Sequence, residues 1–276
     1  MKISIITASY NYAQYLEEAI DSVINQSYQD WELIVVDDCS SDDSVEIIKS
    51  YCEKDSRIML VEQSENKGLK ETLLLGLSHA SGEWVAFLES DDFLAPDNLS
   101  KKVEIIQKYP EIKLIFNKVN FLWEGRDKFQ SGIFEKTQRD LSKMTFPKNM
   151  FKDFYINNKI LTFSCVMVEA NTLKNANFNS PVDTLLDWWL WIHLAYKNSF
   201  YYVDKELTSW RLHEKSYVQK GKKPILYFVQ VQAYRDVYLN SERPLWLLLF
   251  ILCSSLKLFF VRVFRFIRRK SLKLFG

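Results

Sequence analysis

Residues 3–44 read ISIITASYNYAQYLEEAIDSVINQSYQDWELIVVDDCSSDDS, and their rhythm decides the fold class. An apolar, β-branched run from Ile3 to Ala8 gives way to a helical pattern from about Gln14 to Asn25. A second strand-like run, Glu32 to Val36, precedes a helical pattern from about Asp43 to Glu53. The alternation continues with a strand at Ile58 to Glu62, a helix from about Lys70 to His79 and a strand at Trp84 to Leu88. Short β-branched runs suit buried strands, whereas apolar residues every three to four positions build one helix face. Strands alternating in this way with helices form a mostly parallel sheet covered by helices, so the expected class is α/β.

In such sheets, ligands sit beyond the carboxyl ends of the strands. Three of these ends carry unusual polar loads: Thr7, Ser9 and Asn11 after the first strand, Asp37, Asp38, Ser40, Ser41 and Asp42 after the second, and Glu89, Ser90, Asp91 and Asp92 within FLESDDFLAP after the fourth. Clustered carboxylates repel one another unless a cation or hydrogen-bond donors neutralise them. Hard oxygen ligands of this kind suit Mg2+ or Mn2+, which share their coordination with substrate phosphates. The competing explanation is structural: ESDD as a solvated turn, Asp97 and Asn98 as helix caps after Pro96, and Asp37 and Asp38 as the start of an Asx turn.

Beyond residue 112 the pattern loosens. LIFNKVNFLW and ILTFSCVMV look like strands, GRDKFQSG is turn-rich, DTLLDWWLWIHLAYK is an amphipathic helix, and FYYVDKELTSWRLH reads as short strands leading to a polar loop. Asp187 lies among Trp188, Trp189 and Trp191. A partly desolvated carboxylate there suits a general base, and a plain helix-start residue is the alternative. Lone histidines are more often structural than ligands, so His213, two residues after Arg211, says little by itself.

The 276 residues are 47% hydrophobic, enough to bury a substantial core. Net charge is only +1, but seven of the 36 basic residues fall in 257–276, which has no acid. The remaining 29 face 35 acids, leaving the body about six charges negative. That imbalance excludes nucleic acid as the general partner, because a duplex binder spreads basic residues over its folded face. Cys39, Cys52, Cys165 and Cys253 have no paired or metal-type spacing, and MKISIITAS has no secretory pattern. A cytoplasmic location is therefore expected.

The ordered set of segments resembles the family 2 glycosyltransferases of the GT-A fold over roughly residues 2–215. It comprises the opening block, with its Tyr10 and Asn11 pair and VVDD strand end, followed by NKG, GEWVAFLESDDFLAPDNL, LDWWLWIHLA and WRLHEKS. The resemblance implies a Rossmann-like sheet with helices on both faces, a nucleotide-sugar-binding half at 1–110 and an acceptor half at 111–215. It also implies an inverting transfer from a UDP- or dTDP-sugar to a glycan or lipid-linked acceptor, in polysaccharide or lipopolysaccharide biosynthesis. Ala8, Tyr10 and Asp38 would contact base and ribose, and Gly68 would belong to the donor site. Glu89, Ser90 and Asp91 occupy the family's DxD position, with Glu89 replacing the usual first Asp and Asp91 as the direct ligand of Mg2+ or Mn2+. Asp187 matches the catalytic base. His213 matches a position near the diphosphate and metal, with Arg211 beside it. Leu73 and Leu74 stand where many relatives have Arg and Asn. These departures leave a second reading open, a catalytically impaired nucleotide-sugar-binding or scaffolding protein of the same fold.

Residues 216–243 read as a helical connection, and after Pro244 the composition changes abruptly. PLWLLLFILCSSLKLFFVRVFRFIRRKSLKLF is interrupted by Lys257 and Arg262 before it reaches the roughly 20 apolar residues of a comfortable membrane span. From Lys257 a helix would gather Arg262, Arg265, Arg268 and Arg269 on one side and Phe260, Val263 and Ile267 on the other. Such a helix lies in the interface of an anionic membrane, which places the chain peripherally at the inner face. The alternatives are a terminal helix packed on the core or on another subunit, and a short tilted helix from Leu245 to Val261.

Overall fold

The computed structural model describes residues 1–124, 131–155, 157–181, 185–213, 223–253 and 256. The first half follows the expected alternation closely: β1 (Ile3–Ser9), α1 (Ala13–Ile24), β2 (Trp31–Asp37), α2 (Ser44–Cys52), β3 (Ile58–Glu62), α3 (Leu69–His79) and β4 (Trp84–Phe87). These strands pair in parallel in the order β3-β2-β1-β4. Both faces of the sheet are buried, which is why the strands read as unbroken apolar runs. Ile5, Leu33 and Val35 pack with Leu16, Ala19, Ile20 and Val23 of α1, while Ile6, Ile34 and Val36 pack with Leu73 and Leu77 of α3. A Cβ at Gly76 would lie 2.6 Å from Ile6 Cγ2, so glycine lets α3 approach the sheet.

The second half adds β5 (Phe93–Leu94), α4 (Asn98–Lys108), β6 (Ile112–Trp123), α5 (Ser131–Leu141), β7 (Val166–Glu169), α6 (Ala170–Lys174), α7 (Leu186–Lys197), β8 (Ser199–Leu212) and α8 (Lys223–Leu239). The eight-stranded order is β3-β2-β1-β4-β7-β6-β8-β5. β7 runs antiparallel to both β4 and β6, and β8 runs parallel to β6. Consequently β1, β2, β4, β6 and β8 all open on the same rim. The short β5 pairs antiparallel with β8, Phe93 opposite Ser209 and Leu94 opposite Thr208. It carries the chain from the end of β4 across to the end of β8.

Two expectations change in this half. ILTFSCVMV is not one strand: Phe163–Cys165 form a 3-10 turn before β7, because Thr162 Oγ1 accepts from the Ser164 backbone N–H at 3.2 Å. SFYYVDKELTSWRL is one strand of 14 residues rather than several short ones, held along β6 through register irregularities near Lys118. Residues 125–130 of the turn-rich segment, 216–222 of the connection and 257–276 of the basic tail lie outside the described residues. α8 packs on α7 through Val229, Ala233, Tyr234 and Val237, which join the tryptophans of α7 in one core.

Candidate active site

The ends of β1 and β2 are stitched together by their polar residues. Asn11 has a left-handed backbone, φ 57°, and its Oδ1 accepts from the Ser41 N–H at 2.8 Å. Asp37 accepts from the Ser40 N–H at 2.8 Å and its hydroxyl at 2.6 Å, so this first acid of the pair shapes the loop. Asp38 is 5% exposed and turned toward β3 and α3. Its Oδ1 accepts from Gln63 Nε2 at 2.8 Å and the Lys67 N–H at 2.7 Å, and its Oδ2 from the Gly68 N–H at 2.9 Å. These charge-assisted bonds keep Asp38 as an acceptor, and each carboxylate oxygen has two lone pairs, so Oδ2 retains capacity for an incoming N–H. Gly68 has φ 82°, a conformation glycine adopts without a Cβ clash, and it begins α3. Ala8 is half-buried at the end of β1, and Tyr10 is 45% exposed.

At the end of β4 the two aspartates divide. Asp92 is 1% exposed and points inward. Its Oδ2 accepts from the Ser164 hydroxyl at 2.6 Å and from Thr162 at 3.2 Å, and its Oδ1 from the Arg211 N–H at 2.9 Å. Asp91 points outward and its Oδ2 lies 3.0 Å from His213 Nε2. The His213 ring stacks on Tyr15 at 5.3 Å and lies 5.8 Å from Tyr12. Glu89 accepts from the Thr162 hydroxyl, and its backbone N–H donates to Ser164 Oγ at 2.9 Å. Desolvation pushes the Glu89 carboxyl up to about 8, with the charges of Asp91 and Asp187 adding to the rise. Burial, then Asp91 and Glu89, raise Asp92 well above the usual carboxylate range. Ser90, between the acids, is 5% exposed.

Asp187 occupies the first turn of α7, half-buried in a wall of indoles. Trp188 Nε1 donates to the Phe154 carbonyl at 3.2 Å and Trp189 Nε1 to the Asn177 carbonyl at 2.9 Å, which fixes the helix. Asn158 Nδ2 donates to Asp187 Oδ2 at 2.7 Å. Desolvation raises this carboxyl to about 6, against the lowering effect of the helix-start N–H groups and Asn158. The Asp187 charge also adds to the rise at Glu89, so the start of α7 lies within electrostatic reach of the end of β4.

Arg211 was expected beside the diphosphate, yet its guanidinium is committed to the carboxylates of Glu18 and Glu124 and, through Nε, to the Asp91 carbonyl at 2.9 Å. A guanidinium already matched by two carboxylates has no uncompensated charge to offer a donor. Leu73 explains its own departure: it is 4% exposed in the core beneath the sheet, so it replaces a polar contact by packing.

The donor set fits a divalent cation. Asp91 Oδ2 and His213 Nε2 lie 3.0 Å apart, so both could reach one cation, and among the described residues no group of three or more His, Cys, Asp or Glu is placed to hold a metal. Two protein ligands leave the other positions for diphosphate oxygens and water, the usual arrangement for Mg2+ and Mn2+ at phosphate sites.

Sequence reasoning missed Thr162, Ser164 and Asn158, which bind the three acids. The available signal was a pair of hydroxyls two residues apart inside an otherwise apolar run, Thr162 and Ser164 in ILTFSCVMV. Glu18 and Glu124 carry no such signal, because exposed glutamates on a helix and after a strand are commonplace.

Residues 4–173 match the family model "Glycosyl transferase family 2". TuaG, a Bacillus subtilis glycosyltransferase assigned to teichuronic acid biosynthesis, is 42% identical over 106 residues, which are 38% of this chain and 42% of TuaG. An uncharacterised glycosyltransferase of Methanocaldococcus jannaschii is 26% identical over 229 residues, 82% of this chain and 76% of that protein. The match to TuaG thus spans well under half the length of that relative. Among solved structures, S. aureus TarS 1–349 in complex with UDP-GlcNAc superposes with a TM-score of 0.64 at 22% identity, covering 88% of this chain and 68% of TarS 1–349. The mannosyltransferase PcManGT of Pyrobaculum calidifontis, in complex with GDP-Man and Mn2+, gives a TM-score of 0.54 at 18% identity, covering 91% and 73%. At these identities the two structures establish a shared fold. The strand order, the acidic rim and the family match over residues 4–173 agree, and the chain belongs to glycosyltransferase family 2.

Proposed function

We propose that the chain is an inverting glycosyltransferase that moves a sugar from a UDP- or dTDP-linked donor to a hydroxyl of a glycan or lipid-linked acceptor, in the assembly of a bacterial cell-surface polysaccharide or lipopolysaccharide. The observation that carries most weight is Asp187 in the first turn of α7, bonded by Asn158 Nδ2 at 2.7 Å, raised by burial to about 6 and close enough for its charge to be felt at Glu89. The acceptor hydroxyl gives its proton to Asp187 as its oxygen attacks the anomeric carbon. The bond from that carbon to the diphosphate oxygen breaks, and the electron pair leaves with the nucleoside diphosphate. Asp38 accepts the N3–H of uracil or thymine beside Ala8, Tyr10 and Gly68, and Glu89 and Ser90 border the ribose. Asp91 and His213 would hold Mg2+ or Mn2+, which would supply charge to offset the leaving diphosphate. TuaG's place in teichuronic acid biosynthesis and the sugar-nucleotide complexes of TarS and PcManGT support the substrate class. Thermal-shift measurements against UDP-, dTDP- and GDP-sugars, with and without Mn2+, test it. A UDP- or dTDP-sugar should stabilise the protein only when Mn2+ is present. Absence of any such stabilisation across the panel would defeat the proposal.

Asn158 offers a check on the base. It donates to the ionised form of Asp187, so Asn158→Ala raises the Asp187 pKa further. A base must be deprotonated, and kcat should therefore climb with pH through about 6 in the wild type. In the variant that ascending limb moves to higher pH, leaving kcat about threefold lower at pH 6 and near normal at pH 8. A pH profile of kcat reads this directly, and superimposable limbs would remove Asp187 from the step.

The same proposal places the C-terminal region on the anionic inner face of the membrane. No helix among the described residues is long and apolar enough to cross a membrane. The helix at 245–253 has apolar residues on both sides: Leu247, Phe250 and Ile251 pack on the core, while Leu245, Trp246, Leu249, Leu252 and the following Leu256 are 45% to 69% exposed. An exposed leucine row ending in seven basic residues suits insertion at the headgroup level of anionic lipid. Leu249→Glu with Leu252→Glu should reduce sedimentation with anionic vesicles about tenfold and leave the donor-dependent thermal shift unchanged. Undiminished sedimentation would rule the helix out as the anchor.

A further inference from the structure

We infer that Arg211, held by Glu18 and Glu124, is a positioning residue that sets how Asp91 presents its carboxylate to the divalent cation. This rests on the proposal that Asp91 is a cation ligand.

The side chain of Arg211 is 9% exposed and stands at the end of β8. Its three donor directions go to three different elements: Nη2 to Glu18 on α1, Nη1 to Glu124 just after β6, and Nε to the main-chain carbonyl of Asp91 at 2.9 Å. Its own backbone N–H donates to Asp92 Oδ1 at 2.9 Å. The guanidinium also lies 4.8 Å from the centre of the Tyr15 ring, and the Tyr15 hydroxyl donates to the second oxygen of Glu124 at 3.2 Å. Glu124 is tied back to β8 through its N–H on the Leu212 carbonyl at 3.0 Å.

A guanidinium is planar, and its N–H vectors leave in a rigid fork. Three acceptors on separate elements therefore fix the plane, and the plane in turn fixes the Asp91 carbonyl. Asp91 is the outward-facing acid of the Glu89 to Asp92 turn, and its side chain shares a backbone unit with the carbonyl that Arg211 grips. The turn is thus held from both sides: Asp92 inward on Ser164 and Arg211 N–H, and the Asp91 carbonyl on the Arg211 side chain. A simple ion pair would need one carboxylate. Two carboxylates, one from each half of the domain, hold the fork against rotation and leave a net negative charge beside the cation site. Groups that orient a metal ligand in this way typically affect metal affinity by about 10- to 100-fold.

The test measures Mn2+ affinity in the presence of saturating UDP, by the electron paramagnetic resonance signal of free Mn2+, beside kcat and donor KM. Arg211→Lys keeps the charge and loses the fork; it should weaken Mn2+ about tenfold and lower kcat, with donor KM at saturating Mn2+ within about twofold of wild type. Glu18→Gln with Glu124→Gln should weaken Mn2+ to a similar extent and add little on top of Arg211→Lys, a coupling expected of groups acting through one another. The glutamine pair also keeps the test open if Arg211→Lys folds poorly. Arg57→Lys, which alters a distant pair with Asp55, controls for lost stability and should leave Mn2+ affinity unchanged. Wild-type Mn2+ affinity in both Arg211→Lys and the glutamine pair would overturn the inference, as would a raised donor KM at unchanged kcat, which returns Arg211 to direct diphosphate contact. Asp91→Ala separates the two levels: lost Mn2+ binding there with none lost in the Arg211 set sinks the positioning role alone, whereas retained binding in Asp91→Ala sinks the cation ligand beneath it.

Discussion

Asp187→Asn is expected to lower kcat by about three to four orders of magnitude while donor KM changes by less than about twofold. The substitution preserves shape and removes only the proton acceptor. Asp187 sits at the start of α7, where the indoles of Trp188 and Trp189 are pinned by hydrogen bonds to Phe154 and Asn177 carbonyls, so the helix should keep its place. Asp187 has no direct donor contact in this mechanism, and UDP with Mn2+ should stabilise the variant as it does the wild type. Initial rates at saturating donor, with the thermal shift measured in parallel, separate chemistry from binding. A variant within tenfold of wild-type kcat would leave the transfer without its base.

Asp91→Ala should act on the other half of the reaction, lowering kcat/KM by about a thousandfold or more and abolishing the Mn2+-dependent stabilisation by the nucleotide. The cause is electrostatic. Removing Asp91 leaves His213 as the sole proposed protein ligand, and without the cation nothing offsets the charge of the leaving diphosphate. The prediction is specific to this acid, because its neighbour Asp92 is turned inward onto Ser164 and Arg211. Full nucleotide-dependent stabilisation of Asp91→Ala by Mn2+ would show that the cation sits elsewhere.

The contrast between Asp91 and Asp92 shows where sequence reading stops. In ESDD the two are equivalent neighbours. In the structure Asp92 is buried and holds the turn together, whereas Asp91 points toward His213. Only the crossing of β5 to β8, which brings the Arg211 N–H and the Thr162 to Ser164 turn under Asp92, separates them. At the VVDD end the outcome is similar. Asp37 makes the loop with Ser40, and Asp38 is carried to Gly68 and Gln63, contacts 30 and 25 residues away in the chain.

The alternation of β-branched runs and helical faces from Ile3 to Phe87 determined the parallel half of the sheet, because burial on both faces imposes a pattern that short-range composition must obey. The acidic strand ends on one rim followed from that order. Tertiary structure alone decided the rest: the reversed β7, the single long β8, the burial that raises Glu89 and Asp92, the nearness of Asp187 to Glu89 and the commitment of Arg211 to Glu18 and Glu124. Each of these depends on contacts between residues dozens to nearly two hundred positions apart. Desolvation and charge pairing act through space, and the periodicity of a chain records only which side of each element meets the core.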